Sequence, residues 1–208
     1  MKAENMKLYY SQNLNPRVAV AVARYLKSPV EYIAASPRDP KHEEAFRPIN
    51  PNMLVPVLVE SERRLWETDA IACRLAEVAQ SDFWPTGRLL PELIMWLSWS
   101  AHHFTRAGDM FYFQNIIRRR YSIGPEDTKG LADALNDFHR FAPVLDDILA
   151  SRTWLMENRM TYADFRVASV LPFAGKAKLP VKDYRNILRW HERLCEVDAW
   201  RAPFEGLS

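Results

Sequence analysis

The chain has 208 residues, enough for one or two compact domains, and its 48% hydrophobic and 12% aromatic residues can fill folded cores. A formal net charge of +2 is too small to indicate a polyanion partner such as nucleic acid, and we place the arginines at 118–120 at a solvated helix end. The two cysteines, Cys73 and Cys195, lack C-x-x-C or metal-type spacing, so neither a disulfide framework nor a metal site is expected.

The beginning of the chain is polar. Residues 1–7 lack the apolar segment of a secretory signal, and no run of about 18 apolar residues is present to span a bilayer. We therefore expect a cytoplasmic protein.

Strand and helix signals alternate through the first part of the chain. Residues 7–10 and 30–34 are typical of strands, and Asn15 followed by Pro16 predicts a helix start between them. The Val-Ala alternation at 18–23 also fits a strand, but its alanines and the Asn-Pro start favour a buried helix. Strand, helix and strand in this order predict a parallel pair with a right-handed crossover.

A hairpin and a helix follow. Residues 36–44 contain two prolines and predict a loop, while residues 55–60 and 64–66 flank a polar turn and predict a hairpin. Thr68 can cap a helix over residues 69–79.

The rest of the chain lacks strong strand signals. Helices are predicted over residues 91–120, 129–151, 161–173 and 186–196. Gly108 is expected to bend the first of them, and Thr161 with Asp164 fits a capping box at the start of the third. The sequence thus predicts an α/β domain over residues 1–80, a linker over 81–90 and an all-helical domain over 91–208.

Two neighbouring features could capture a peptide. If the Val55-Pro56 bond is cis, the Val55 backbone groups would face outward and could pair with an extended peptide, although Pro56 could also simply start an edge strand. The helix start near Glu67 and Thr68 favours a bound carboxylate, with Thr68 as a hydroxyl donor, and Glu67 could hold an ammonium group. An ordinary capped helix is the alternative.

The order and spacing of four segments resemble the cytosolic glutathione transferase superfamily. These segments are Lys-Leu-Tyr-Tyr at 7–10, Asn-Pro-Asn-Met-Leu-Val-Pro-Val-Leu-Val at 50–59, Glu-Thr-Asp-Ala-Ile at 67–71 and Met-Thr-Tyr-Ala-Asp-Phe at 160–165. The resemblance covers about residues 7–200. It implies a thioredoxin-like N-terminal domain, a helical C-terminal domain, glutathione as co-substrate and a homodimer.

The resemblance also implies roles for particular residues. Val55 would bind the cysteinyl backbone of glutathione beside Pro56, and Glu67 with Thr68 would hold its γ-glutamyl end. The Val55-Pro56 bond is therefore predicted to be cis, because only that geometry turns the Val55 backbone toward the ligand in the matching fold. The complete implied glutathione-binding set is Lys41, His42, Leu54, Val55, Pro56, Glu67, Thr68 and Asp69. Met and Leu at 53–54 stand where the family often has Gly-Lys or Gly-Gln, so Lys41 or His42 would replace a usual contact to the glycyl end.

The helical domain would supply the pocket for an apolar second substrate. The first long helix is rich in large side chains, most of which must be core because the apolar face of any bundle helix has this composition. Candidates for the pocket are Trp99, His103, Phe104 and Phe111. The adjacent histidines are expected to be one exposed and one packed, with no metal.

Thiol activation is assigned to the loop after the first strand, which contains no cysteine and no tyrosine. Arg17 resembles the arginine that follows the active-site loop in serine-type members, and counting back from it indicates Asn13. Asn15 is the second candidate and Ser11 the third, because amide and hydroxyl donors stabilise a thiolate. Asn13 could instead only shape the loop, and Asn15 could only cap the helix.

Two other functions remain open at this point. Members of the superfamily also serve as binding or regulatory modules without chemistry, since fold does not fix function. Glutathione-dependent isomerases share the fold but have a Ser-x-Cys-Ser-x-Arg loop, of which residues 11–17 keep only the arginine. Within the enzyme hypothesis, the thiol would attack an electrophile, a disulfide or a peroxide.

Overall fold

The computed structural model describes residues 6–156 and 159–207. It divides into two compact units, one made of residues up to Trp84 together with those from Val197 onward, the other of Pro85–Glu196. We expected no secretory signal mainly from residues 1–5. These residues lie outside the described part. Within that part, no helix combines the length and apolar character that a bilayer crossing requires.

The first unit is built on a four-stranded mixed sheet. Its strands are β1 (Met6–Tyr10), β2 (Val30–Ala34), β3 (Val57–Glu60) and β4 (Arg63–Trp66), in the order β2-β1-β3-β4. Strand β1 runs parallel to β2 and antiparallel to β3, and β3 pairs with β4 as the predicted hairpin. Together with its helices, this sheet confirms the predicted α/β fold.

Helix α1 (Leu14–Tyr25) connects the two parallel strands. Residues 18–23 are fully buried, so every side of this helix is packed. The alternation of valine and alanine reflects this burial and does not indicate a strand. The predicted helix start was wrong by two residues. Asn13 is the N-cap, its carbonyl accepts a hydrogen bond from the Arg17 backbone N–H at 2.9 Å, and Pro16 lies in the first turn, where no N–H is required.

The connection after β2 and the start of the helix after the hairpin also differ from prediction. The short helix α2 (Glu43–Phe46) begins inside the predicted loop over residues 36–44. Helix α3 (Thr68–Val78) begins one residue early, so Thr68 is its first residue and not its cap. Glu67 occupies the N-cap position with φ of 73°.

The second unit is helical, as predicted. Its first long helix, residues 90–120, consists of α4 (Leu90–Trp99), α5 (Thr105–Tyr112) and α6 (Arg118–Arg120), joined by π-helical segments at Ser100–Phe104 and Phe113–Ile117. The remaining helices are α7 (Thr128–Ser151), α8 (Tyr162–Val167), α9 (Ala174–Ala177) and α10 (Arg185–Leu194), with a 3₁₀ segment Ala168–Phe173 between α8 and α9. The capping box of Thr161 and Asp164 is present at the start of α8.

The position at which a bend was expected, Gly108, is closely packed. It lies inside the α-helical segment α5, and the irregular π segments lie on either side of it. A Cβ atom at this position would be 2.9 Å from both methyl groups of Val170. Glycine is therefore needed here for close packing.

The end of the chain packs with the first unit, whereas the sequence assigned residues up to 208 to the helical domain. Helix α11 (Asp198–Arg201) contains Trp200, which is fully buried. The Arg17 guanidinium donates to the Trp200 carbonyl and lies 4.6 Å from the centre of its ring. Tyr10 stacks on Phe204 at 5.7 Å, so β1 and α1 both contact this C-terminal segment.

Candidate functional site

The register of the sheet brings three predicted site segments to one end. Tyr9 pairs with Val57, so Ser11, two residues after Tyr9, is level with Val55. Val57 also pairs with Trp66, so the neighbouring Pro56 is level with Glu67. Antiparallel partners advance in opposite directions, so the chain segments at Ser11, Val55 and Glu67 lie at the same end of the strands. This end is called the edge of the first unit.

The loop before β3 is held by the buried side chain of Asn50. Its Nδ2 donates to the Leu54 carbonyl at 2.8 Å, and its Oδ1 accepts from the backbone N–H and the side-chain amide of Asn52, both at 3.0 Å. Asn50 is 2% exposed, so these bonds are made in a dry environment. The loop thus presents Leu54 and Val55 in a fixed conformation.

The Val55-Pro56 bond is cis, which confirms the prediction. Across residues 6–156 and 159–207, nothing forms a hydrogen bond with the backbone N–H or C=O of Val55. Val55 is half-buried and Leu54 is exposed. One residue at this edge therefore offers a backbone donor and a backbone acceptor to an extended ligand.

The N-terminus of α3 lies beside this edge. Glu67 is exposed, and its carboxylate has no partner among the described residues. Its positive φ is uncommon for a residue with a side chain, and such conformations concentrate at functional sites. Asp69 is half-buried in the first turn of α3.

Thr68 is buried, and its hydroxyl donates to the Asn15 carbonyl at 3.3 Å. This corrects the predicted use of the hydroxyl as a donor to a carboxylate, because its proton is directed at α1. The Thr68 backbone N–H lies in the first helical turn and has no partner in the described part of the chain. That N–H lies at the positive end of the helix dipole, where negative charge is favoured.

The three candidates for thiol activation lie between β1 and α1. Ser11 is half-buried, and its Oγ is enclosed without a hydrogen-bond partner among the residues described. Asn13 is half-buried at the N-cap, and Asn15 is exposed in the first turn. Tyr10, at the end of β1, is buried, and this burial raises the pKa of its hydroxyl. Tyr10 is thus poorly suited to act as a base.

Lys41 and His42 are exposed on the approach to α2. The Lys41 backbone N–H donates to Asp39 Oδ1 at 3.0 Å, and the His42 carbonyl accepts from Phe46 at 2.9 Å. Phe46 packs edge-on against Tyr9 of β1 at 5.9 Å, which fixes α2 against the sheet. The side chains of Lys41 and His42 project from a supported loop.

The predicted second-substrate residues do not form one group. Trp99 stacks on Phe104 at 6.0 Å, and His103 stacks on Phe141 of α7 at 4.4 Å. Phe104 has no exposed surface, so its predicted contact with a ligand is corrected to packing beneath Trp99. Phe111 lies apart from this cluster and lines a pocket of the second unit.

Two contributors were missed in the sequence. Asn50 was assigned no role from the sequence, where it appeared only at the start of the segment 50–59, and its Asn-Pro context is a weak local signal for its role. Trp200 was not connected with Arg17, because the two are 183 positions apart and no periodicity relates them. Among the described residues, no group of three or more His, Cys, Asp or Glu side chains is placed to hold a metal ion.

A mixed four-stranded sheet in one unit and a second, helical unit form the architecture that this chain shares with solved glutathione transferases. Residues 112–198 match the family model described as Glutathione S-transferase, C-terminal domain. The chain is 26% identical over 200 residues to Glutathione S-transferase GstB of Escherichia coli, covering 92% of this chain and 93% of that protein.

Two further comparisons extend the similarity. FtsZ-localized protein A of Caulobacter vibrioides is 26% identical over 169 residues, which cover 75% of this chain and 72% of that protein. The fold superimposes with a TM-score of 0.84 on a glutathione transferase family member from Pseudomonas fluorescens solved with two glutathione bound, at 20% identity, covering 99% of this chain and 94% of that one. Residues 112–198 thus match a glutathione S-transferase C-terminal domain, and relatives named glutathione S-transferase match the chain over most of its length, which supports membership of the cytosolic glutathione transferase superfamily.

Proposed function

We propose that the protein is a glutathione transferase that binds glutathione at the edge formed by Val55, Glu67 and Thr68. The observation that supports this most directly is the placement of unpaired backbone groups of Val55 beside an unpaired carboxylate and a helix N-terminus. A γ-glutamyl peptide has an extended backbone, an ammonium group and a carboxylate, which match these three features one to one.

Each part of glutathione has a partner in this arrangement. The cysteinyl backbone pairs with the N–H and C=O of Val55 as a short antiparallel strand. The γ-glutamyl carboxylate accepts from the Thr68 N–H at the positive end of α3, with Asp69 nearby, and the ammonium group binds Glu67. Lys41 or His42 is the proposed contact for the glycyl carboxylate.

The sulfur would then lie near the loop after β1. An enclosed hydroxyl without a partner is costly unless a ligand completes it, so Ser11 becomes the first candidate for donating to the thiolate. Asn13 is the second candidate, because it is half-buried at the N-terminus of α1, whose dipole also favours a negative sulfur. Asn15 is exposed and its carbonyl accepts from Thr68, so we assign it to positioning.

The proposed reaction is attack of the thiolate on a small hydrophobic electrophile, with a disulfide or peroxide as further acceptors. A reducing cytoplasm would keep the glutathione thiol available.

Retention on immobilised glutathione followed by a thiol-conjugation assay tests this function. Glu67→Gln should raise the dissociation constant for glutathione about tenfold, since a charge-assisted hydrogen bond contributes roughly 1.5–3 kcal/mol. Glu62→Gln, an exposed carboxylate in the hairpin turn, is the matched control and should bind normally. Ser11→Ala should raise the pKa of bound glutathione measured by thiolate absorbance, and unchanged values in Ser11→Ala and Asn13→Ala would exclude both donors.

A binding module without turnover is the second candidate. The similarity to FtsZ-localized protein A, whose name describes a location and no reaction, supports this second candidate. Retention on glutathione without conjugation of any electrophile tested would select this function.

We also propose a homodimer. The exposed apolar side chains of α4, Leu90 at 39%, Ile94 at 50% and Met95 at 53%, support an additional protein contact. Light scattering at micromolar concentration should give twice the 24.2 kDa of the chain. A mass equal to one chain would contradict this proposal.

A further inference from the structure

Leu54 is an exposed apolar side chain at the edge of the first unit. It is 46% exposed, although it is a large hydrophobic residue beside the proposed glutathione site. The next two residues, Val55 and Pro56, are half-buried and buried. Because a single exposed leucine is common on protein surfaces, its position relative to the ligand decides what it can do.

The backbone at Leu54 has a fixed direction. Its carbonyl accepts from Asn50 Nδ2 at 2.8 Å and is therefore turned toward the buried side of the loop. The N–H and the carbonyl of the next residue, Val55, have no hydrogen-bond partner among the residues that the structure describes. Consecutive residues of an extended strand direct their backbone groups to opposite sides, so a ligand strand pairs with Val55 and not with Leu54.

This pairing determines which part of the ligand lies at Leu54. The cysteinyl residue pairs with Val55, and the γ-glutamyl residue lies toward Pro56, which is level with Glu67. Because antiparallel strands advance in opposite directions, the third residue of the peptide is opposite Leu54. The two residues form a non-hydrogen-bonded pair, in which the Cα atoms are about 4.5 Å apart and the side chains share one face.

Glycine, the third residue of glutathione, has no side chain for this contact. With glutathione bound, Leu54 would keep much of its apolar surface in water. A third residue with an aliphatic side chain would remove both this surface and its own from water. Its carboxylate would keep the contact proposed for the glycyl carboxylate, Lys41 or His42.

We propose that the site prefers γ-glutamyl-cysteinyl peptides whose third residue is an L-amino acid with an aliphatic side chain, and that Leu54 determines this preference. This inference rests on the proposed binding of glutathione at the same edge. Such a peptide and glutathione have the same thiol, γ-glutamyl group and terminal carboxylate. The preference therefore depends on one cross-strand contact between side chains.

The probe is γ-glutamyl-cysteinyl-leucine, compared with glutathione by calorimetric titration into the full-length protein. We expect it to bind about fivefold more tightly than glutathione. The epimer with D-leucine has the same composition and charge, but its side chain points to the other face. It should bind no more tightly than glutathione.

Two matched leucine variants test the role of Leu54. In Leu54→Ala, the affinity ratio between the leucyl peptide and glutathione should fall to about one, because the apolar partner is lost. Leu135→Ala changes an exposed leucine of the second unit and should keep the ratio of the wild type. Comparing ratios separates this contact from any change in the affinity for glutathione itself.

The outcomes separate this inference from the proposed function. Equal binding of the leucyl peptide and glutathione to the wild type would overturn the inference and leave glutathione binding intact. A ratio unchanged in Leu54→Ala, or an equal gain from the D-leucine epimer, would also overturn it. If neither peptide bound at up to about 1 mM, the proposed glutathione site would be refuted together with this inference.

Discussion

At the scale of single residues, Asp164 shows how one side chain organises a helix start and makes stability depend on pH. Its carboxylate accepts from the backbone N–H groups of Leu155 and Thr161 at 3.0 and 2.8 Å and from Trp190 Nε1 at 3.0 Å. Burial nevertheless raises the pKa of Asp164 from 3.8 to about 6. The folded protein therefore retains a proton that the unfolded chain has already lost between these values.

Asp164 should stabilise the fold most at low pH. Its contribution to the free energy of unfolding is complete below about pH 4 and is lost as pH rises through about 6. Asp164→Asn does not titrate, so the stability difference between the wild type and this variant should fall by up to about 1.4 kcal/mol per pH unit across this range. Urea unfolding at pH 4, 5, 6 and 7 measures it, and a difference that stays constant or grows with pH would contradict the expected sign.

Asn50 is the second residue with an effect beyond its own position. Asn50→Ala removes the hydrogen bond that holds the Leu54 carbonyl and should therefore loosen the backbone at Val55. We expect the dissociation constant for glutathione to rise about tenfold. Calorimetric titration measures this, with Glu62→Ala in the exposed hairpin turn as the control. Equal affinities in the wild type and Asn50→Ala would restrict Asn50 to a role in folding.

At the scale of elements, the contact between α5 and the 3₁₀ segment depends on a missing side chain. Gly108→Ala would place a Cβ 2.9 Å from the Val170 methyl groups, and overpacking of this kind costs about 1–3 kcal/mol. Gly175→Ala, with nothing within 4 Å, should be neutral or stabilising by up to about 1 kcal/mol. Denaturant unfolding compares the two.

The same contact predicts a rescue. Adding Val170→Ala to Gly108→Ala removes the clashing methyl groups, so the double variant should cost less than the sum of the single changes. Strict additivity would show that the α5 backbone tolerates a methyl group at position 108 without contacting Val170.

An ion pair joins α3 to the hairpin. Arg74 donates through two nitrogens to the carboxylate of Glu60 at the end of β3. These hydrogen bonds lower the pKa of Glu60 and raise the pKa of Arg74. Glu60 thus stabilises the fold above the pKa of an unfolded glutamate and loses this contribution as pH falls, which is opposite to Asp164.

At the scale of the whole molecule, the C-terminal segment around Trp200 packs in the first unit, together with β1 and α1. Trp200→Ala would remove a fully buried indole and leave the Arg17 guanidinium without its ring contact, at a cost of about 3–5 kcal/mol. Arg201→Ala changes an exposed neighbour and should cost far less.

Amide hydrogen exchange can locate this effect. Protection in α1 should decrease in Trp200→Ala more than protection in α7, because Trp200 packs within the first unit. Equal loss of protection in both helices would show that the two units unfold as one.

The sequence by itself determined the features that depend on neighbouring residues. The bounds of β2, the hairpin and the capping box at Thr161 were predicted, because alternation and turn chemistry act over a few positions. The cis bond before Pro56 was predicted from the family resemblance. The order of these signals was also sufficient to identify the fold.

Only the tertiary structure decided the features that join distant positions. The contact of Arg17 with Trp200, the fit of Gly108 against Val170 and the burial of Phe104 join residues with no fixed spacing along the chain. The positive φ of Glu67 likewise runs against the preference of its residue type and is stabilised by its surroundings. Local patterns report which side chains prefer burial, but packing in three dimensions decides which partner each one meets.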